Sequence, residues 1–150
     1  MLAIRPDSWN HPLLVHVLGA ALLMGTLVLA VAALLVAARR DRDNALAVTR
    51  LGFWTLLAGA LPSYVVMRVG AEWINSEANF GEPAWIAIGY TTADIGLLVM
   101  IVATVLAGIG VRRMRSGAGG ETLGRVAGGL SVLLVIAYVA TVWAMTAKPD

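Results

Sequence analysis

Asp94 is the single charged residue in the run from Trp85 to Val111, WIAIGYTTADIGLLVMIVATVLAGIGV. A carboxylate in hydrocarbon costs about 3 kcal/mol at a helix centre, so it needs a partner or a function. Arg68 is the natural counter-charge. It lies in another apolar run, with Tyr64 and Glu72 four residues to either side, so the three share one helix face. His16 falls in the first apolar run and Tyr138 in the last. Three kinds of chemistry are open to His16, Tyr64, Arg68, Asp94 and Tyr138. An Arg68–Asp94 pair fixes helix register and does nothing more, or it lines a polar pocket that binds a small ligand or passes protons. His16 serves as an axial ligand to b-type haem with Arg68 near a propionate, or in a quinone-associated redox module, or it bonds Asp94, a tyrosine or backbone. Bis-histidine ligation needs two facing histidines. His11, the one other histidine, precedes Pro12 and is expected to lie outside the helix. A five-coordinate, Met67-ligated or intersubunit haem is the form left open.

Four apolar runs must position these groups. The first starts at Pro12, whose missing N–H suits a first helical turn, and ends at Arg39-Arg40-Asp41-Arg42-Asp43, which cannot enter lipid. The second runs to Trp73 with Pro62 near its middle, where the lost bond to the Ala58 carbonyl predicts a kink. The third closes at Arg112-Arg113-Met114-Arg115, the flexible SGAGG turn follows, and the fourth begins near Glu121. The expected helices are 12–38, 46–73, 84–113 and 121–147, each long enough for a bilayer. Residues 74–83 are expected to be a polar loop. The fold class that follows is all-α integral membrane: four transmembrane helices in one up-and-down bundle and one domain.

Composition supports the same class. Of 150 residues, 59% are hydrophobic, against eleven Lys and Arg and nine Asp and Glu, too few charges to cover a soluble domain. There is no cysteine, so disulfides, zinc–thiolate sites and iron–sulfur clusters drop out, and two histidines exclude a His-rich metal site. Phosphate loops, nucleophilic triads and nucleic-acid motifs are absent, and no enzymatic constellation is visible. The first apolar run is too long, and its flank too little basic, for a cleavable signal.

Basic residues set the orientation. Arg39, Arg40, Arg42, Arg50, Arg112, Arg113, Arg115 and Arg125 lie in or beside the first and third loops, whereas Arg5, Arg68 and Lys148 are all that remains elsewhere. Arginine-rich short loops stay cytoplasmic, which predicts extracytoplasmic termini. Trp9, Trp73, Trp85 and Trp143 then mark the outer interface and Trp54 the inner one. At 1.5 Å per residue Arg68 lies about 7–8 Å below Trp73 and Asp94 about 13 Å below Trp85. The polar groups are thus expected in the outer half, facing the bundle interior, with Arg68 and Asp94 in contact and His16 or a tyrosine nearby. The inner half is expected to be apolar and small, without a through-going path. Gly124/Gly128, Gly59/Ser63, Ala21/Gly25 and Ala103/Ala107 are four-residue small pairs that allow close helix approach within the bundle or between protomers.

The segment His16 to Gly25, HVLGAALLMG, resembles the first helix of several small bacterial four-helix membrane families, themselves distantly similar to the copper-resistance D type membrane domain. The resemblance covers about one helix of the four. It implies a four-helix bundle in a bacterial inner membrane and, at His16, a b-type haem position. The other spans supply no second histidine. Together these readings lead to the expectation of a non-enzymatic structural or accessory subunit or a self-associating bundle, with lipid and a homo-oligomer or membrane complex as partners and no nucleic acid. A redox module and a transport module are the alternatives.

Overall fold

Where a soluble protein buries its large apolar side chains, this one turns many of them outward. Leu98, Leu133 and Ile136 are among the most exposed of its large apolar residues, whereas Ala30, Ala60, Ala103, Ala107 and Ala127 are wholly buried. Without a hydrophobic drive between helices in lipid, close backbone approach over small residues has to supply the packing. The computed structural model describes residues 6–81 and 83–147, with Arg42 and Asp43 described by backbone alone. Arg5 and Lys148, which entered the charge reading, lie outside the described residues.

Four long helices make the bundle. Helix α1 is Asn10–Ala37, preceded by a 3-10 turn at Asp7–Trp9. Helix α2 is one continuous rod of three stretches, Arg42–Trp54, a π-helical turn at Thr55–Ala60, and Leu61–Ala78. Helices α3 and α4 are Ala84–Arg115 and Glu121–Ala147. All four are long and apolar enough to cross a bilayer, so the chain is a multi-pass helical membrane protein. Helix α1 packs along the whole of α2, α3 along α4, and α1 along α4, while α2 and α3 meet mainly near the arginine-rich end. The order around the bundle is therefore 1-2-3-4. Leu23, Leu27, Leu34, Leu56 and Met100 fill its axis.

Local chemistry sets the breaks. Proline at 62 has no N–H to give, and one turn earlier the ladder widens: the Leu61 N–H reaches back five residues to the Leu56 carbonyl. The Ser63 hydroxyl donates to the Gly59 carbonyl at 2.8 Å and the Thr55 hydroxyl to Leu51 at 2.9 Å, adding donors on both sides of the disturbance. The sequence predicts a kink at Pro62; what stands there is this π turn at Thr55–Ala60, one turn before the proline, and the helix continues unbroken through residue 62. Helix α2 also runs past Trp73, through residues expected to form a loop, because polar side chains beyond the bilayer do not prevent helical hydrogen bonding. It stops where Asn79 adopts the left-handed conformation (φ 46°), as a C-terminal cap does. The α3–α4 turn needs glycine at 120, whose φ is 132° and whose Cβ would fall 2.5 Å from the Gly110 carbonyl oxygen.

Two glycines lock the first hairpin. A Cβ at Gly19 would run into the backbone of Met67, and one at Gly70 into the backbone of His16. Helices α1 and α2 therefore touch main chain to main chain. Of the small pairs read from the sequence, Ala103 and Ala107 are fully buried, Gly124 meets Thr49 and Gly128 meets Leu34. Gly59 meets Thr26, and nothing lies within 4 Å of a Cβ at Gly25.

Candidate functional site

The polar residues divide into two groups with different surroundings. The first fills the seam between α2 and α3 in the half of the bundle that carries Trp9, Trp73, Trp85 and Trp143. These two helices have few contacts there, and long polar side chains occupy the gap. Arg68 is the hub. Its Nη1 lies 3.3 Å from Asp94 Oδ1 and its Nε 3.1 Å from Glu72 Oε1. The guanidinium carbon stands 4.4 Å from the centroid of the Tyr90 ring, a cation–π contact, and the Tyr90 hydroxyl donates to Glu72 Oε2 at 3.1 Å.

The pair expected between Arg68 and Asp94 is thus in contact, but its place needs correction. Asp94 does not face the interior: its side chain is 64% exposed, that of Glu72 54%, and that of Arg68 27%. The reason is helical phase. Ala93 and Gly96 occupy the inward face of α3, which turns Asp94 outward with Ile95 and Leu98. The network also holds one base against two carboxylates. The sequence places Glu72 on the face of Arg68, but the site read from it included neither Glu72 nor Tyr90. Arg68 is forked and serves both acids at once. The four-residue step from Arg68 to Glu72 was the signal available.

The second group lies inside. His16 does not bond Asp94 or a tyrosine. Its Nδ1 lies 3.0 Å from the Met67 carbonyl oxygen, across the Gly19–Gly70 contact. A carbonyl only accepts, so Nδ1 carries the hydrogen, and in the neutral ring Nε2 presents a lone pair. Tyr138 is 5% exposed, its hydroxyl rests against Gly96, and among the described residues that oxygen has no hydrogen-bond partner. Tyr64 is equally buried. His16 and Tyr138 border one small cavity of about 70 Å³, reached also by Arg68 and Tyr90.

That cavity lies beside a wider cleft of about 630 Å³ with walls from all four helices. At its rim Phe80 stacks edge-on against Trp9 at 5.4 Å and Trp85 at 5.5 Å. These two tryptophans therefore do more than mark an interface. The arginine-rich half of the interior is less uniform than expected: Thr49, Thr104 and Ser131 are buried there or near the middle. The Thr104 and Ser131 hydroxyls donate to carbonyls one turn back in their own helices. Among the described residues no three His, Asp or Glu side chains gather as a metal site.

Fold and site define a class, a four-helix multi-pass membrane protein with a charged seam on its surface and an apolar cleft in its interior. The chain matches no protein-family model, no curated protein and no solved structure.

Proposed function

We propose that the protein is a non-enzymatic accessory subunit of a bacterial inner-membrane assembly, docking through the α2–α3 seam to a partner helix that carries a basic side chain. The carrying observation is the surplus carboxylate. Arg68 faces both Glu72 and Asp94, and Asp94 is two-thirds exposed about 13 Å along the helix from Trp85, near the middle of a 30 Å core. Lipid offers no counter-charge at that depth, and a lysine or arginine on a neighbouring helix supplies one. Such pairing gives a specific docking register in a medium where apolar surface alone does not discriminate. Self-association is the weaker reading, because a second copy brings the same excess of negative charge.

A photo-crosslinking residue at Leu98, on the exposed face one turn from Asp94, tests this in cells. The expected product is a discrete heteromeric adduct that falls about tenfold in Asp94→Asn and returns when the partner's facing base is replaced by a neutral residue. A product made only of this chain supports self-association instead, and crosslinks to lipid alone overturn docking. The orientation within this proposal places the arginine-rich loops in the cytoplasm. In this cysteine-free chain, an impermeant maleimide is expected to label a cysteine at position 78 in intact cells and one at position 44 only after permeabilisation. The reverse pattern inverts the topology.

A further inference from the structure

The arginine-rich end carries a charge that nothing among the described residues balances. Of the eight arginines in or beside the first and third loops, all but Arg42 have described side chains, and the described acids among them are Asp41 and Glu121. Both carboxylate oxygens of Asp41 accept from the Asn44 amide, at 2.9 and 3.1 Å. The ion pairs among the described residues all belong to Arg68, at the other end. We propose that the corner where α1 ends against α4 binds the phosphate of an anionic phospholipid, held by Arg125 with Arg39 and Arg40, and that an acyl chain of this lipid lies over Gly129.

Arg125 carries the headgroup half. Glu121 lies four residues before it on α4, the usual spacing for an ion pair, yet the guanidinium turns to the neighbouring helix instead. Its Nη2 donates to the Ala38 carbonyl oxygen at 3.4 Å. Ala38 closes α1, where the last carbonyls have no helical partner and the negative end of the helix dipole favours a cation. The contact uses one of five N–H donors, and Arg125 is exposed, so the rest of the fork stays open to a ligand. Arg39 and Arg40 leave the chain directly after Ala38, and both are exposed. The corner thus brings three guanidinium-bearing residues of two helices to one point. Such planar forks take phosphate oxygens two at a time. The corner also closes helices long enough to span a bilayer, which puts it at headgroup depth.

Gly129 carries the acyl half and separates a lipid from a free phosphate. It lies one turn from Arg125 toward the middle of the membrane, on the same face of α4, with exposed Leu133 one turn further. Glycine weakens a helix interior, so it needs a reason to be there. Gly124 and Gly128 have one, since a Cβ on the first would meet Thr49 and on the second Leu34 and Leu35. At Gly129 a Cβ would meet nothing within 4 Å. This leaves a shallow notch in the lipid-facing surface, beside the α1–α4 contact and directly below the guanidinium corner. Gly25 of α1 is equally open, but no charged residue lies within two turns of it along that helix. The corner lies on the edge of the bundle opposite the α2–α3 seam, so its test stands apart from docking there.

The test uses the full chain in phosphatidylcholine vesicles, with spin-labelled phosphatidylglycerol and phosphatidylcholine as probes. Electron spin resonance reads the fraction of each that the protein immobilises. Phosphatidylglycerol is expected to be preferred about tenfold, the effect of a few guanidinium groups on one phosphate. Most of that preference is expected to survive 1 M salt, where the screening length falls to about 3 Å and diffuse attraction is lost. Arg125→Gln and Arg39→Gln are each expected to lower the preference several-fold, and Arg112→Gln, off the corner, to leave it unchanged. Gly129→Leu keeps every charge and fills the notch, and is expected to lower it as well. No preference in the wild type overturns the site. A preference that vanishes at 1 M salt, or falls equally in Arg112→Gln, also overturns it in favour of diffuse attraction to a basic surface. Displacement of the labelled lipid by millimolar glycerol phosphate, with Gly129→Leu unchanged, overturns the lipid and leaves a site for a free phosphate. The wild-type measurements at two salt concentrations need no variant, so they decide the matter even where a substitution impairs folding.

Discussion

Valine at Gly19 or at Gly70 is expected to open the first hairpin and to produce the largest stability loss of any single substitution in the bundle. At both positions the new Cβ meets main chain: Met67 in one case, His16 in the other. A clash with a side-chain tip is relieved by a rotamer change, but one with backbone requires the helices to part. Overpacking typically costs 1–3 kcal/mol, and a contact that side chains cannot relieve belongs at about 3 kcal/mol or above. Parting α1 from α2 also breaks the His16–Met67 hydrogen bond and reshapes the cleft. Gly25→Val is the control, because a Cβ there meets nothing within 4 Å, and its effect is expected to stay within about 0.5 kcal/mol. Reversible unfolding in mixed micelles, followed by circular dichroism and tryptophan fluorescence, measures both. Equal losses at positions 19 and 25 would show that the close approach does not hold the hairpin.

That pair of glycines also shows what a sequence conceals. The bundle itself was legible, because four apolar runs separated by charged or glycine-rich turns admit few other folds in a bilayer. Packing over small residues was legible as a class, and Ala103, Ala107, Gly124 and Gly128 are used. Gly19 and Gly70 escaped because neither has a small residue four positions away that forms a pair within its own helix. Their partner is each other's helix, and the match appears only when residues equally far from the hairpin turn are set side by side. Gly25, in contrast, was read as a packing position and faces open space. At the site, charge identity was legible and phase was not. The energetic argument that Asp94 needs Arg68 met a 3.3 Å contact. The further step, that a costly charge must face inward, failed because Ala93, Gly96 and Met100 claim the interior face of α3 for close packing. The cleft was not legible at all, since its volume depends on how far four helices separate at one end.

Replacing Arg68 by leucine is the second large effect expected, and it is expected to exceed that of Asp94→Asn. The sequence alone suggests the two should be similar, since each removes one member of a pair. The structure breaks the symmetry through Glu72. When Asp94 becomes neutral, Arg68 keeps its 3.1 Å contact with Glu72 and its seat over Tyr90, so the loss should be about 1 kcal/mol or less. When Arg68 goes, two carboxylates lose their base at once, and the described part of this half of the bundle holds no second lysine or arginine. Asp94 then lies near the middle of the core, where an uncompensated acid costs about 3 kcal/mol, a little below the 3–5 kcal/mol of a broken buried pair in water-soluble proteins. Glu72 suffers less, because it sits one residue from Trp73 and reaches the interface. The double variant Arg68→Leu with Asp94→Asn should therefore recover most of the loss, whereas Arg68→Leu with Glu72→Gln should recover little. A double-mutant cycle measured by unfolding in mixed micelles gives the two coupling energies directly. The Arg68–Asp94 coupling is expected to be the larger, despite its longer contact. A larger coupling to Glu72 would show that Asp94 is already neutral in the bilayer, and that the surplus charge available to a partner helix belongs to neither acid.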